Sequence, residues 1–238
     1  TTEPLTNSIA NGMVAAAAAL GTRAGYSGYG VEQGLEALRQ RISEEFYGAR
    51  VNANEVFISD GYRNRRIIAF NSDTGAFTRM WGAYGKLPSD EKFPSYNPDS
   101  PQFANPVHCV ILAKNGLVYV CDRVNNRVQV FHHDGSYVKQ FVYEPATHGS
   151  GSTWDLALWP DKNEDYMVMV DGTNNEMRTI RTSDGAVMST VGRSGRNAGQ
   201  FHWVHNIAID SRGTVYTTEV DNGKRIQKWL PTNGVPQR

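Results

Sequence analysis

The chain has 238 residues, of which 39% are hydrophobic and 20% charged, with 24 basic and 24 acidic side chains. Ample apolar content without net charge excludes disorder, and two cysteines exclude a disulfide scaffold. The longest apolar run, Met13 to Leu20, has 8 residues, too few for a membrane-spanning helix.

Residues 1–54 read as a helical segment. Ala15 to Ala19 is the strongest run of helix formers. It lacks the basic stretch of an export signal and has Glu3 in front of it, so it reads as an alanine-rich surface or packing helix. Leu35, Leu38, Ile42 and Phe46 share one face of a second helix, which Gly48 stops. Between the two lies the glycine-rich loop Gly25-Tyr-Ser-Gly-Tyr-Gly30. No strand precedes it, so it is not a phosphate loop.

From Glu55 the texture changes to strands that repeat. Glu55-Val-Phe-Ile-Ser-Asp60, Leu117-Val-Tyr-Val-Cys-Asp122, Tyr166-Met-Val-Met-Val-Asp171 and Thr214-Val-Tyr-Thr-Thr-Glu219 are short apolar strands, each ending in an acid. The four acids lie 62, 49 and 48 residues apart. Arg66, Arg127 and Arg225 follow three of them by five or six residues and are expected to bridge to the acid of their own repeat. The third repeat has Glu176-Met177 there instead. Turns then follow at Asp73-Thr-Gly75, His133-Asp-Gly135, Ser183-Asp-Gly185 and Thr232-Asn-Gly234. An opening strand precedes the last three repeats at Val107–Leu112, Thr153–Leu158 and Val204–Ile209.

The unit is therefore a four-stranded antiparallel blade, and the fold class is mainly β. The first repeat lacks its opening strand, which leaves about three and a half blades over residues 55–238. Open strand edges predict self-association. Cys109 and Cys121 flank the turn Lys114-Asn-Gly116 symmetrically and should be cross-strand neighbours. Two buried thiols are the favoured state, and a bridge is permitted.

The pattern apolar strand–Asp–x–x–Asn–x–Arg–Ile/Val resembles the NHL-repeat β-propellers. Ser59-Asp-Gly-Tyr-Arg-Asn-Arg-Arg66, Asn105-Pro-Val-His108, Asp122-Arg123 and Trp203-Val-His-Asn206 resemble the peptidyl-α-hydroxyglycine α-amidating lyases within that group. That family holds zinc with three histidines from three blades. The resemblance carries two of them onto His108 and His205, and the third repeat has Trp154 at the equivalent place. It also implies Tyr62 as the catalytic base and Arg123 as a substrate-binding cation. A phenol, with a pKa of about 10, needs a cation or metal nearby to act as a base. The family's calcium site is not expected, because Asn206 stands where an acid would follow the zinc histidine.

The residue-level alternative is a propeller that binds a peptide or small molecule at its channel without catalysis. In it, His108 and His205 are hydrogen-bonders, Tyr62 is a loop aromatic and Arg123 pairs with a carboxylate. His132, His133, His148 and His202 fall in or beside turns and read as surface residues. Arg63, Arg65 and Arg66 form a basic cluster, but balanced charge argues against nucleic acid.

The front of the chain resembles a different family. Thr2-Glu-Pro-Leu5, Gly25–Gly30, Glu32-Gln-Gly34, Phe46-Tyr-Gly48 and Glu55–Gly61 are similar to LL-diaminopimelate aminotransferases. The resemblance carries substrate recognition onto Tyr29 and Glu32. The domain with the cofactor lysine is missing, so pyridoxal phosphate is not expected. The two resemblances overlap at Val56 to Gly61, which reads as a junction made by gene fusion or by sequence assembly. The propeller relatives are often exported and the aminotransferases are cytoplasmic, so the compartment stays open.

Overall fold

The computed structural model describes residues 55–231. The helices expected over residues 1–54 and the turn at Thr232-Asn-Gly234 lie outside them.

The described residues form fourteen strands in four antiparallel sheets. The first sheet holds β1 (Glu55–Asp60), β2 (Arg66–Asn71) and β3 (Phe77–Trp81). The second holds β4 (Val107–Leu112), β5 (Val118–Asp122), β6 (Arg127–Phe131) and β7 (Tyr137–Val142). The third holds β8 (Asp155–Leu158), β9 (Tyr166–Asp171), β10 (Glu176–Arg181) and β11 (Val187–Val191). The fourth holds β12 (Val204–Ile209), β13 (Val215–Glu219) and β14 (Ile226–Trp229). In every sheet, strands next to each other in sequence are paired. This is the meander expected for propeller blades. Among the described residues the first blade begins at its second strand, and β1 packs beside β4.

Alternate side chains of a strand point to opposite faces, and here both faces are used. Val118 and Val120 of β5 join Ile67, Trp81, Phe103 and Phe131 between the first and second blades. Tyr119 and Cys121 of the same strand join Val128, Phe141, Met167 and Ile180 between the second and third. In β9, Met167 and Met169 face the second blade, whereas Val168 and Val170 face Phe201 and Val204 of the fourth.

The acid at the end of each second strand pairs with an arginine in, or directly before, the third. Arg66 meets Asp60 at 2.8 Å, Arg127 meets Asp122 at 2.7 Å and Arg225 meets Glu219 at 2.5 Å. The apparent break in the third repeat is a displacement. Arg178, on the same face as Glu176, reaches Asp171 at 2.7 Å. Arg127 is fully buried. Its remaining donors go to the Tyr84 hydroxyl and the carbonyls of Pro98 and Gln102, all within 3.0 Å.

Cys109 and Cys121 are register partners, as expected. They are joined as a disulfide with Cα atoms 4.8 Å apart, which corrects the expectation of two thiols. Facing positions on paired antiparallel strands bring the two side chains within bonding reach.

Candidate functional site

Two β-bulges position the two channel histidines. In the second blade Val107 pairs with Asp122 and Cys109 with Cys121, so His108 has no opposite residue. In the fourth, Val204 pairs with Glu219 and Asn206 with Thr218, which leaves His205 unopposed in the same way. A bulge re-aims the side chain it frees. The two rings meet with centroids 4.6 Å apart, although they come from different blades.

Each ring has its Nδ1 committed. His108 Nδ1 faces the backbone carbonyl of Trp154. A carbonyl only accepts, so Nδ1 carries the proton and Nε2 presents its lone pair. His205 Nδ1 lies 2.6 Å from Asn206 Oδ1. The Asn206 amide nitrogen donates to Asp155 Oδ2 at 3.2 Å, so its oxygen faces His205, which must donate. Burial pulls the His108 pKa down to about 4, and the nearby Arg123 cation adds to this, so the ring is neutral at pH 7. Burial raises Asp155 to about 6, against hydrogen bonds from Ile207, Asn206 and Leu156 that favour the carboxylate.

Trp154, at the equivalent place in the third blade, is 1% exposed. Its ring packs edge-on to His108 and His205, with centroids 5.7 and 5.3 Å away. The Arg123 guanidinium lies over it at 4.5 Å. The indole nitrogen donates to the Gly151 carbonyl at 2.8 Å. Gly151 has φ +75°, and a Cβ there would stand 2.0 Å from the Arg123 carbonyl. Only glycine suits that position.

Arg123 is not in an ion pair among the described residues. Its Nε is buried and has no hydrogen-bond partner among the described residues. Burial pulls its pKa below the usual arginine range, and the Tyr62 phenol opposes that shift. Tyr62 is 67% exposed, with its ring 6.5 Å from His108. It follows Gly61, where a Cβ would stand 1.9 Å from the Val107 carbonyl, so the turn carrying Tyr62 lies directly on the strand carrying His108.

The four propeller residues singled out in the sequence therefore fall in one neighbourhood. The supporting roles of Trp154, Asp155 and Asn206 were missed. Tyr29 and Glu32 lie outside the described residues. His132, His133 and His148 are exposed and His202 is half-buried. Among the described residues, no three of His, Cys, Asp and Glu come together as a metal cage.

Residues 103–131 match the NHL repeat. Over 184 residues the chain is 28% identical to peptidyl-glycine alpha-amidating monooxygenase B of Xenopus laevis, covering 74% of this chain and 19% of that protein. Monooxygenase A of the same organism is also 28% identical, with 18% of its length covered. The chain thus spans about a fifth of the curated relatives that it matches across its length. A separate stretch of 63 residues is 44% identical to LL-diaminopimelate aminotransferase of Prochlorococcus marinus (strain MIT 9515), covering 25% of this chain and 15% of that protein. Among solved structures, a streptogramin B lyase superposes with a TM-score of 0.50 at 13% identity, over 76% of this chain and 53% of that one. That likeness concerns the fold. Together with the four meander sheets, these matches support an NHL-repeat β-propeller over residues 55–231, similar at 28% identity to the peptidyl-glycine alpha-amidating monooxygenases.

Proposed function

We propose that the propeller takes the α-hydroxyglycine end of a peptide and splits its carbinolamide C–N bond, giving the peptide amide and glyoxylate. The observation that carries this reading is the meeting of two imidazoles, each with Nδ1 committed, beside an arginine whose buried Nε has no partner. Two rings with Nδ1 committed, leaving Nε2 as the ligand atom, fit half of a zinc shell. Rings bound to one tetrahedral ion stand roughly 5 Å apart, close to the 4.6 Å found here. His108 and His205 would hold the ion, with the other positions left to water and substrate. When bound, it would polarise the substrate hydroxyl as a Lewis acid.

The protein's own groups divide the remaining work. Arg123 offers its guanidinium to the glycine carboxylate, and Trp154 beneath it keeps the guanidinium in place. Tyr62 accepts the hydroxyl proton. The O–H electrons close the new carbonyl, the C–N pair leaves with nitrogen, and the nitrogen takes up a proton to complete the amide. Asp155 and Asn206 hold His205 in its working tautomer.

The test is zinc uptake by the full chain, with glyoxylate release from a peptidyl α-hydroxyglycine. Near one equivalent of metal, with turnover lost in His205→Ala and Arg123→Gln, is the expected result. A zinc-loaded protein that binds the peptide without releasing glyoxylate would overturn the lyase and leave a binding module.

For residues 1–61 we infer a separate, aminotransferase-like origin, joined to the propeller within Val56 to Gly61. The partial aminotransferase matches support it. Long reads of the source DNA that run unbroken across the codons for Tyr47 to Arg66 are expected. Reads that part at Asp60-Gly61 would sink the fusion.

A further inference from the structure

Next along the chain from Tyr62, the surface opens into a cavity of about 470 Å³. The β1–β2 turn supplies Arg63 and Arg65, the segment between β3 and β4 supplies Lys92 and Phe93, and buried Ser100 and Phe103 form its floor. Among the described residues, three cations and no carboxylate line it. Among the described residues, none of the three cations has an acidic partner within ion-pair distance. Arg66, next in sequence, is already spent on Asp60.

The cations are held there by the fold. Arg63 has φ 94° and Arg65 φ 53°, both in the left-handed region that non-glycine residues seldom enter. The Arg63 amide donates to Asn105 Oδ1 at 3.2 Å, which pins the turn to the lip of the cavity. The Arg65 guanidinium donates to the carbonyls of Glu91 and Ser89, both at 3.2 Å. Carbonyls orient the side chain without neutralising it. On the floor, Ser100 is 2% exposed and its hydroxyl accepts only a long contact, 3.5 Å, from the Gln102 amide. It donates to no acceptor among the described residues. Among the described residues, a buried hydroxyl proton without an acceptor, below three cations without an acidic partner, is a donor set without its anion.

The same cavity abuts the candidate site along the chain. Arg63 follows Tyr62, and Asn105 stands three residues before His108. We infer that this cavity binds an acidic side chain of the peptide whose end reaches the histidine pair. It would thus set a preference for Glu or Asp upstream of the reacting residue. The inference rests on the peptide reading above, but it concerns binding alone and can be measured without turnover.

The probes are two unreactive peptides, acetyl-Glu-Val-Gly and acetyl-Gln-Val-Gly, with inorganic phosphate as competitor, titrated calorimetrically into the full chain. The Glu peptide is expected to bind at least fivefold more tightly. That advantage should vanish in the double variant Arg63→Ala/Lys92→Ala and shrink in high salt. Both substitutions fall on exposed side chains, and a far-UV spectrum checks the fold. Equal binding of the two peptides, binding of neither, or a Glu preference that survives in the double variant would overturn the inference. Phosphate binding without Glu preference would reassign the cavity to a phosphate-bearing ligand and overturn the peptide assignment. Loss of glyoxylate release with the Glu preference intact would instead count against the lyase alone.

Discussion

The backbone carbonyl of Trp154 accepts the proton of His108 Nδ1, so the third blade sets the tautomer of an imidazole carried by the second. The same residue stacks under Arg123 and packs edge-on to His205. One buried side chain thus touches three candidate functional groups. Trp154→Phe keeps an aromatic platform and loses the bond to Gly151, at a cost of about 1–2 kcal/mol. Trp154→Ala empties the site and costs roughly 3–5 kcal/mol. Denaturant unfolding measures both. Zinc titration of Trp154→Phe should stay within a few-fold of the parent chain. A Phe variant that folds but takes up no metal would show that the indole itself, and not an aromatic platform, holds the histidines.

The Asp122–Arg127 pair is the most buried ion pair of the described residues, with both side chains at 0% exposure. Removing one partner strands the other charge in the core. Arg127→Met is therefore expected to destabilise by about 3–5 kcal/mol. Adding Asp122→Asn should recover part of that loss, because the stranded carboxylate disappears. A denaturation midpoint lower in the double variant than in Arg127→Met would mean that packing, and not charge, dominates there.

The repeat was legible where a blade faces two neighbours, as the second and third do among the described residues. Val118 to Val120 and Met167 to Val170 must be apolar on both sides, which writes short apolar runs ending in a polar residue. The acid–arginine pairs were legible by spacing in three blades. Arg178 was not, because the bridge came from two residues further along the same strand. His108 and His205 stood out as repeat equivalents, but the bulges that aim them left no mark in Val-His-Cys or Val-His-Asn. The contribution of Trp154 to His108 is a main-chain carbonyl, which no side-chain pattern reveals. The cation-lined cavity depends on the carbonyls of Ser89 and Glu91 in a segment without strand periodicity, so only the folded chain displays it.

Asp155 gives a pH dependence with a definite sign. Its native pKa is raised from 3.8 to about 6 by burial. A raised carboxyl pKa favours the folded state when protonated. The contribution is full below about pH 3.8 and is lost as pH rises through about 6. Its ceiling is about 3 kcal/mol, from 1.36 kcal/mol per pKa unit. Asp155→Asn removes the titrating group. Urea unfolding between pH 4 and 7 should therefore show a flatter stability profile for the variant than for the parent chain. Parallel profiles would mean that Asp155 titrates near its ordinary value and that the hydrogen bonds from Ile207, Asn206 and Leu156 outweigh its burial.

The Cys109–Cys121 bridge joins the strand that carries His108 to the strand that ends at Asp122, just before Arg123. It closes a short loop of sequence separation 12. A loop of that size restricts the unfolded chain by roughly 3 kcal/mol. Cys109→Ala/Cys121→Ala is expected to lose about that much, and the loss should be matched by adding a reductant to the parent chain. Both sulfurs lie in the core between the second and third blades, so the alanines also leave a small void there. Comparing the reduced parent with the double variant separates the two contributions, since the reduced chain keeps its sulfurs. A reduced chain as stable as the oxidised one would show that strand pairing alone holds His108 and Arg123 in register.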